Sequence, residues 1–220
     1  MYPFFSIIQN STLFSGIPAE EIESILHCLE AKTEDFPKNT YILRAGDKAH
    51  SIGLLLSGKA LIMQEDFWGN RNLIAAIHSG QIFAEAFACS QSSPLTVSVV
   101  TEVPSVVLFL NIHRVMTLCS SSCSFHSQMI HNLLVNLANK NLLFNEKLTH
   151  MSQRSTREKL LSYLSTEAQR QKCSEFDIPF SRQQLADYLS VERSGLSMEL
   201  SKMQKEGLLS FHKNHFRLTT

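Results

Sequence analysis

The stretch Arg182–Ser201, RQQLADYLSVERSGLSMELS, has the spacing of two short helices that cross at a tight turn. Counted from Arg182, the fifth residue is Ala186, where a crossing helix requires a small side chain, and the ninth is Ser190, at the turn. Two residues depart from the usual pattern, because Ser190 replaces a glycine and Glu199 stands where an apolar residue is common. The spacing predicts a helix-turn-helix, whose apolar contacts would come from Leu185, Leu189, Val191 and Leu196.

The flanking segments complete a C-terminal domain. Ser181 and Gln184 have the spacing of a capping box at the start of the first helix. The second helix is expected from about Glu192 to Glu206, where Gly207 ends it. The other expected elements are a helix at Thr156–Ala168 that buries Leu160, Leu161 and Leu164, and two wing strands at Leu208–Phe211 and Phe216–Leu218.

The region from Lys38 to about Leu110 has a different pattern, with short apolar runs separated by Gly46, Gly58 and Gly80. Many short strands at regular intervals indicate a small antiparallel barrel or double-sheet roll. The segment Phe67-Trp68-Gly69-Asn70 is typical of a hairpin turn within it.

A single long helix is predicted between these two regions, because residues from about 123 to 151 contain neither glycine nor proline. Its apolar residues recur every seven positions, which is typical either of packing against the helix's own domain or of a coiled-coil seam. We favour a parallel dimer seam, because the helix joins two domains and is too long to be covered at both ends. The expected interface residues are Ile130, Leu133, Leu137, Phe144 and Leu148, with Lys140 and Asn141 as polar interruptions.

The composition and charge of the chain exclude several classes of protein. The 220 residues carry 20 Lys and Arg against 20 Asp and Glu, and 44% are hydrophobic, which excludes a disordered chain. Residues 1–150 have a net charge of −3 and residues 151–220 of +3, so the C-terminal third is the better candidate for a polyanionic partner.

No apolar run is long enough to span a membrane, and no basic residue precedes the apolar start, so neither a membrane partner nor a secretory signal is expected. Five scattered cysteines suggest reduced thiols in a cytoplasmic protein.

Several motifs, in the right order, resemble those of the CRP/FNR family of bacterial transcription regulators. They include Ile42–Asp47, Leu55–Ala60, Gly80–Glu85, Arg154–Leu161 and Phe180–Ala186. The resemblance implies an α+β fold with an antiparallel, jelly-roll-like β roll at residues 1–118. A long dimerisation helix and hinge would follow at 119–152, and a winged helix-turn-helix at 153–220.

The family resemblance also implies a mode of DNA binding. The long helix would form a homodimer, and the second helix of each helix-turn-helix would enter a major groove of an inverted-repeat operator. Arg193, Ser194, Ser197 and Met198 would face base edges, with Arg193 able to read guanine. Ser181 and Arg182 would contact phosphates. Many family members have arginine where Met198 stands, so the usual half-site is not assumed. RNA polymerase is a candidate partner.

The cyclic-AMP-binding members of the family have a Gly-Glu pair and, ten residues later, an arginine that binds the cyclic phosphate. The corresponding residues here are Ala84, Glu85 and Leu95, so a phosphate would lack its cation. We therefore expect an unknown small-molecule effector other than cyclic AMP, in a more apolar pocket, or else a filled core without a ligand. The pocket would be lined by Ala84, Glu85, Leu95, Thr96 and Phe144.

Other functions have less support. Iron–sulfur sensing would need clustered N-terminal cysteines, but only Cys28 lies in the first eighty residues. Cys119, Cys123 and His126, and separately His78, are weak metal or haem candidates, so no metal and no cofactor is expected. No catalytic residues are recognised, which argues against an enzyme. The alternative is a regulatory module that binds an effector and acts through protein contacts.

Overall fold

The computed structural model describes residues 4–65, 67–68, 71–90, 93–116 and 124–219. The chain divides into two compact units, Met1–Ala138 and Asn139–Thr220. The boundary falls inside the long helix α5 (Ser124–Met151), so the last turns of α5 lie with the C-terminal unit.

The N-terminal unit begins with helices and continues as short strands. The helices are α1 (Phe5–Asn10), a 3₁₀ turn (Thr12–Phe14), α2 (Ala19–Cys28), α3 (Glu85–Ser90) and α4 (Ile112–Met116). The strands are β1 (Lys32–Phe36), β2 (Tyr41–Leu43), β3 (Ser51–Ser57), β4 (Lys59–Glu65), β5 (Arg71–His78), β6 (Ile82–Phe83), β7 (Ser98–Thr101) and β8 (Ser105–Asn111).

These strands form a β roll. They pair in the orders β1-β8-β3-β6 and β2-β7-β4-β5, and every pair is antiparallel. The predicted α+β class with an N-terminal β roll is therefore confirmed. β4 and β5 form the predicted hairpin, although Gly69 and Asn70 of its turn lie outside the described residues. The core between the sheets contains Ile42, Leu55, Ala60, Ile77, Phe83, Val99 and Val107.

Gly58 shows why a glycine is needed between β3 and β4. Its φ is +90°, and a Cβ atom there would lie 2.6 Å from the carbonyl oxygen of Pro104. Any other residue would be strained in both conformation and space.

The C-terminal unit is a winged helix-turn-helix preceded by the end of α5. Its elements are α6 (Thr156–Gln171), β9 (Glu175–Asp177), α7 (Arg182–Leu189), α8 (Arg193–Lys205), β10 (Leu209–His212) and β11 (His215–Leu218). The wing has a third strand that the sequence analysis missed, since β9 pairs with β11. Leu161, expected inside, is 41% exposed; Tyr163 packs in the core instead, because it shares a helix face with Leu160 and Leu164.

Candidate nucleic-acid interface and effector pocket

The first helix of the helix-turn-helix starts with the capping box that its sequence predicts. The Gln184 amide donates to Ser181 Oγ at 3.3 Å, and the Ser181 amide donates to Gln184 Oε1 at 2.8 Å. Ser181 is exposed. Its hydroxyl accepts from the helix, and its O–H remains able to donate to an anion at this helix start.

Arg182 connects α7 to the wing. Its guanidinium lies 4.9 Å from the ring centre of Phe211 and 5.7 Å from that of Phe216, and its Nη2 donates to the Lys213 carbonyl at 3.1 Å. Burial lowers the pKa of Arg182. Ser181, Arg182 and Lys213 line an open groove of about 510 Å³ between α7 and the wing turn. Arg182 thus supports the wing and also presents a charge in the groove.

The turn between α7 and α8 has the predicted geometry. Ser190 is left-handed with φ +51°, and the Val191 amide donates to the Ala186 carbonyl at 3.0 Å, which closes the end of α7. Ala186 is fully buried where the helices cross. Lys159 Nζ donates a hydrogen bond to the Leu189 carbonyl at 3.1 Å. A cation at the C-terminal end of a helix stabilises it, because that end carries the negative charge of the helix dipole.

The four predicted base-facing residues lie on the first two turns of α8. Arg193 and Ser194 are exposed, Ser197 is half-buried, and Met198 is 72% exposed. The Ser197 hydroxyl donates to the Arg193 carbonyl at 2.9 Å, so it is bonded within the helix. The opposite face is buried through Leu196, Leu200 and Met203.

The exposed row on α8 is longer than the sequence analysis recognised. Ser201 and Lys205 are also exposed and continue the line of Ser194 and Met198 at spacings of three and four residues. This 3–4 spacing, opposite the apolar positions Leu196, Leu200 and Met203, was the signal that could have identified Ser201 and Lys205. The exposed row is defined here as Ser194, Met198, Ser201 and Lys205.

The corner between α5 and α6 holds the helix-turn-helix to the end of the long helix. His150 is buried, and its Nδ1 is hydrogen-bonded to Ser162 Oγ at 2.8 Å. Burial lowers the pKa of His150, because the charged form is poorly solvated there. The His150 ring packs edge-to-face on Tyr163, and Tyr188 packs beside both rings.

Four of the five residues predicted to line the effector pocket lie in the N-terminal unit. Ala84, with φ +63°, precedes α3, and Glu85 and Leu95 are buried. The Leu95 backbone pairs with the loop at Gly46 and Asp47 through two 2.8 Å hydrogen bonds, and its side chain belongs to the core. Thr96 is exposed, and Phe144 is exposed in the other unit. Burial, and secondarily the charge of Glu85, raises the pKa of Cys89.

The metal and haem candidates gain no support. Cys119 and Cys123 lie outside the described residues, and His126 is buried at the start of α5. Within the described ranges, no group of His, Cys, Asp or Glu side chains could hold a metal ion. His78 is exposed at the end of β5.

An apolar stripe of exposed and half-buried residues runs along one side of α5. Leu133, expected in it, is 2% exposed and packs in the protomer's own core, whereas Leu134 is 60% exposed. Leu137 packs in part against that core. The stripe, with spacings of three and four residues, consists of Ile130, Leu134, Leu137, Phe144 and Leu148, and Asn141 interrupts it.

Among the helices of the described chain, none combines the length and the hydrophobicity that a membrane crossing requires. No curated protein matches the sequence.

Comparison with solved structures supports the fold. The catabolite activator protein of Thermus thermophilus is 20% identical with a TM-score of 0.52, covering 95% of this chain and 94% of that chain. The c-di-GMP-responsive global regulator CLP of Xanthomonas campestris is 20% identical with a TM-score of 0.58, and the match covers 92% of this chain and 100% of that chain. CprK complexed with OCPA is 14% identical with a TM-score of 0.65, covering 89% of each chain. At these identities the likeness concerns the fold alone.

Sequence profiles identify both parts of the chain. The profile of the cyclic nucleotide-binding domain matches residues 33–122, and that of the Crp-like helix-turn-helix domain matches residues 158–219. The two matches occur in the order of the β roll and the winged helix-turn-helix. The chain belongs to the CRP/FNR family of DNA-binding transcription regulators.

Proposed function

We propose that the protein is a homodimeric regulator that binds a specific inverted-repeat operator and responds to a small effector other than cyclic AMP. The observation that carries the proposal is the polar and exposed side of α8, beside a wing and opposite a fully buried face. An α-helix of this kind fits a DNA major groove.

DNA contacts divide between α7 and α8. Arg193, at the first position of α8, has the reach and the two parallel donors that pair with guanine O6 and N7. Ser181 and Arg182 border the groove between α7 and the wing, which suits a backbone phosphate. Ser194, Ser197 and Met198 would add hydrogen bonds and apolar contact to base edges.

The homodimer is supported by the apolar stripe of α5. Phe144 and Leu148 are largely exposed, and together with Ile130, Leu134 and Leu137 they follow coiled-coil spacing along α5. Exposed large apolar side chains in a row are typical of an association surface. A two-fold dimer then requires half-sites about 34 Å apart.

The effector proposal follows from charge and burial around α3. A cyclic nucleotide would bring its phosphate to a buried leucine, Leu95, and none of the predicted pocket residues is a cation that could replace the arginine. An anion desolvated without a cation is disfavoured. A small molecule without a phosphate fits this more apolar lining better, and a filled core without a ligand is the alternative.

The test is to select an operator from random DNA and then titrate binding against salt. Phosphate contacts produce a steep decrease of affinity with salt concentration. A protein that acts only through protein contacts would yield no enriched sequence and no salt-dependent DNA binding, which would favour the alternative module.

A further inference from the structure

Arg157, near the start of α6, bonds two carboxylates of the α8 segment. Its Nη1 lies 3.4 Å from Glu199 Oε1, and its Nη2 donates a hydrogen bond to Glu206 Oε2. The bond to Glu206 raises the pKa of Arg157, and the same bond lowers the pKa of Glu206. Glu199 is one of the two residues that depart from the helix-turn-helix pattern, and this ion pair explains how a carboxylate is accommodated there.

The two carboxylates are seven residues apart, so they lie on one side of α8 and about two turns from each other. Glu206 is also the residue that caps the end of α8. A guanidinium is planar and offers its donors in a rigid fork. One fork held at both carboxylates restrains the rotation of α8 about its axis as well as its tilt.

The rotation of α8 decides which side chains face outward. Successive residues are about 100° apart around a helix, so Glu199 lies off the exposed row, about 100° around α8 from Met198. If α8 rotated in that direction, the Glu199 carboxylate would approach the surface that Met198 occupies. A carboxylate there would repel phosphates and displace the base-facing residues.

We infer that Arg157 is a positioning residue for DNA readout, which fixes the rotation of α8 by holding Glu199 and Glu206. The inference rests on the proposed function. The ion pair with Glu206 is exposed and the one with Glu199 is only partly buried. Ion pairs near the surface contribute little to stability, so removal of Arg157 should change the orientation of α8 more than it changes folding.

The experiment compares Arg157→Gln, Arg157→Lys and Glu199→Gln, using the full-length protein on its selected operator and on a scrambled duplex. The measured quantity is the ratio of the two affinities. We expect each variant to lower this ratio about five- to tenfold, because misaligned base contacts lose discrimination. Arg157→Lys keeps the positive charge but lacks the planar fork that reaches both carboxylates. Arg157→Gln makes the net charge more negative, whereas Glu199→Gln makes it more positive. A common effect therefore cannot be electrostatic. The double variant Arg157→Gln with Glu199→Gln should fall no further than Arg157→Gln alone.

Arg154→Gln is the matched control, since Arg154 is exposed three residues earlier. Arg154→Gln should weaken binding to the operator and to the scrambled duplex equally, so the ratio of the two affinities should stay at the wild-type value. Thermal unfolding of every variant separates loss of readout from loss of fold. If the wild-type protein prefers its operator but Arg157→Gln keeps the wild-type ratio of affinities, the inference is overturned. Equal losses of affinity on the two duplexes would overturn it in the same way. A wild-type protein without that preference would overturn the proposed function and this inference together.

Discussion

Both carboxylate oxygens of Glu146 lie 2.7 Å from one guanidinium nitrogen of Arg170, which ties the last turns of α5 to the far end of α6. The other terminal nitrogen of Arg170 donates at 2.6 Å to Glu167, a residue that is only 5% exposed. One arginine thus pairs with two carboxylates within the C-terminal unit. The end of the long helix is therefore held firmly to the winged helix-turn-helix.

Arg170→Ala should lower the free energy of unfolding by about 2 kcal/mol, because the buried Glu167 carboxylate would lose its cation. Urea unfolding monitored by circular dichroism measures the change. Lys202→Ala removes the same charge from an exposed helix position and should cost less than about 0.5 kcal/mol. Equal stabilities for the two variants would show that Glu167 does not depend on Arg170.

The dimer is best tested at Leu148, which is 62% exposed in the protomer and lies on the apolar stripe. Leu148→Asp should yield monomers, because a dimer would bury the charge without a partner. Leu142→Asp is the matched control, since Leu142 is 67% exposed but off the stripe, and it should remain dimeric. Leu137 is less suitable, because it also packs against its own core. Sedimentation velocity that finds dimers for Leu148→Asp would remove this stripe as the interface.

Cyclic AMP should not bind with micromolar affinity. The position of the phosphate-binding arginine is taken by Leu95, whose side chain is buried and whose backbone pairs with the 46–47 loop. Isothermal titration calorimetry measures this directly, with a cyclic-AMP-binding family member as the positive control. A micromolar dissociation constant would contradict our account of the pocket.

The wing should be stabilised at low pH by His215. Hydrogen bonds to Glu175, and next to Asp177, raise the pKa of His215. The folded-state pKa therefore exceeds the unfolded value of about 6.5, so the stabilisation is complete below that pH and is lost as pH rises through the folded value. The stability difference between wild type and His215→Gln should be largest near pH 5.5 and shrink above pH 7. Subtraction of the two curves cancels His150, whose lowered pKa acts in the opposite sense. A difference independent of pH would exclude this role.

Much of the fold could be predicted because local signals and tertiary packing agree. The capping box at Ser181 and the small residue at Ala186 are local requirements of α7 and of its crossing with α8, and both appear as expected. The strand β9 was missed because three residues carry too little periodicity to be recognised. The fork of Arg157 joins residues more than forty positions apart, and no pattern along the chain encodes such a distance.

The effector-pocket residues and the apolar stripe of α5 also contain features that the sequence pattern could not predict. Leu133 and Leu134 are equivalent in composition, and only packing against the N-terminal core decides that Leu133 is buried. Thr96 follows Leu95 directly but is exposed, and only the folded structure decides which of these two neighbours is buried.

Arg193 and Arg182 should differ in what they read on DNA. Arg193 is exposed at the first position of α8, so its loss should cost about 1–3 kcal/mol on the operator and little on scrambled DNA. Arg182 borders the groove between α7 and the wing, so Arg182→Ala should weaken binding to all sequences alike and reduce the salt slope by roughly one unit.

The structure adds a control for Arg182, because its guanidinium also packs on Phe211. Phe211→Leu removes the ring under the guanidinium but no charge. If Arg182 contacts phosphate, Phe211→Leu should leave the salt slope unchanged even where it lowers affinity. Fluorescence anisotropy on operator and scrambled duplexes, at several salt concentrations, supplies both quantities. Equal losses on both duplexes for Arg193→Ala would assign it to the phosphate backbone, and sequence readout would then fall to Ser194, Ser197, Met198 or the shape of the DNA.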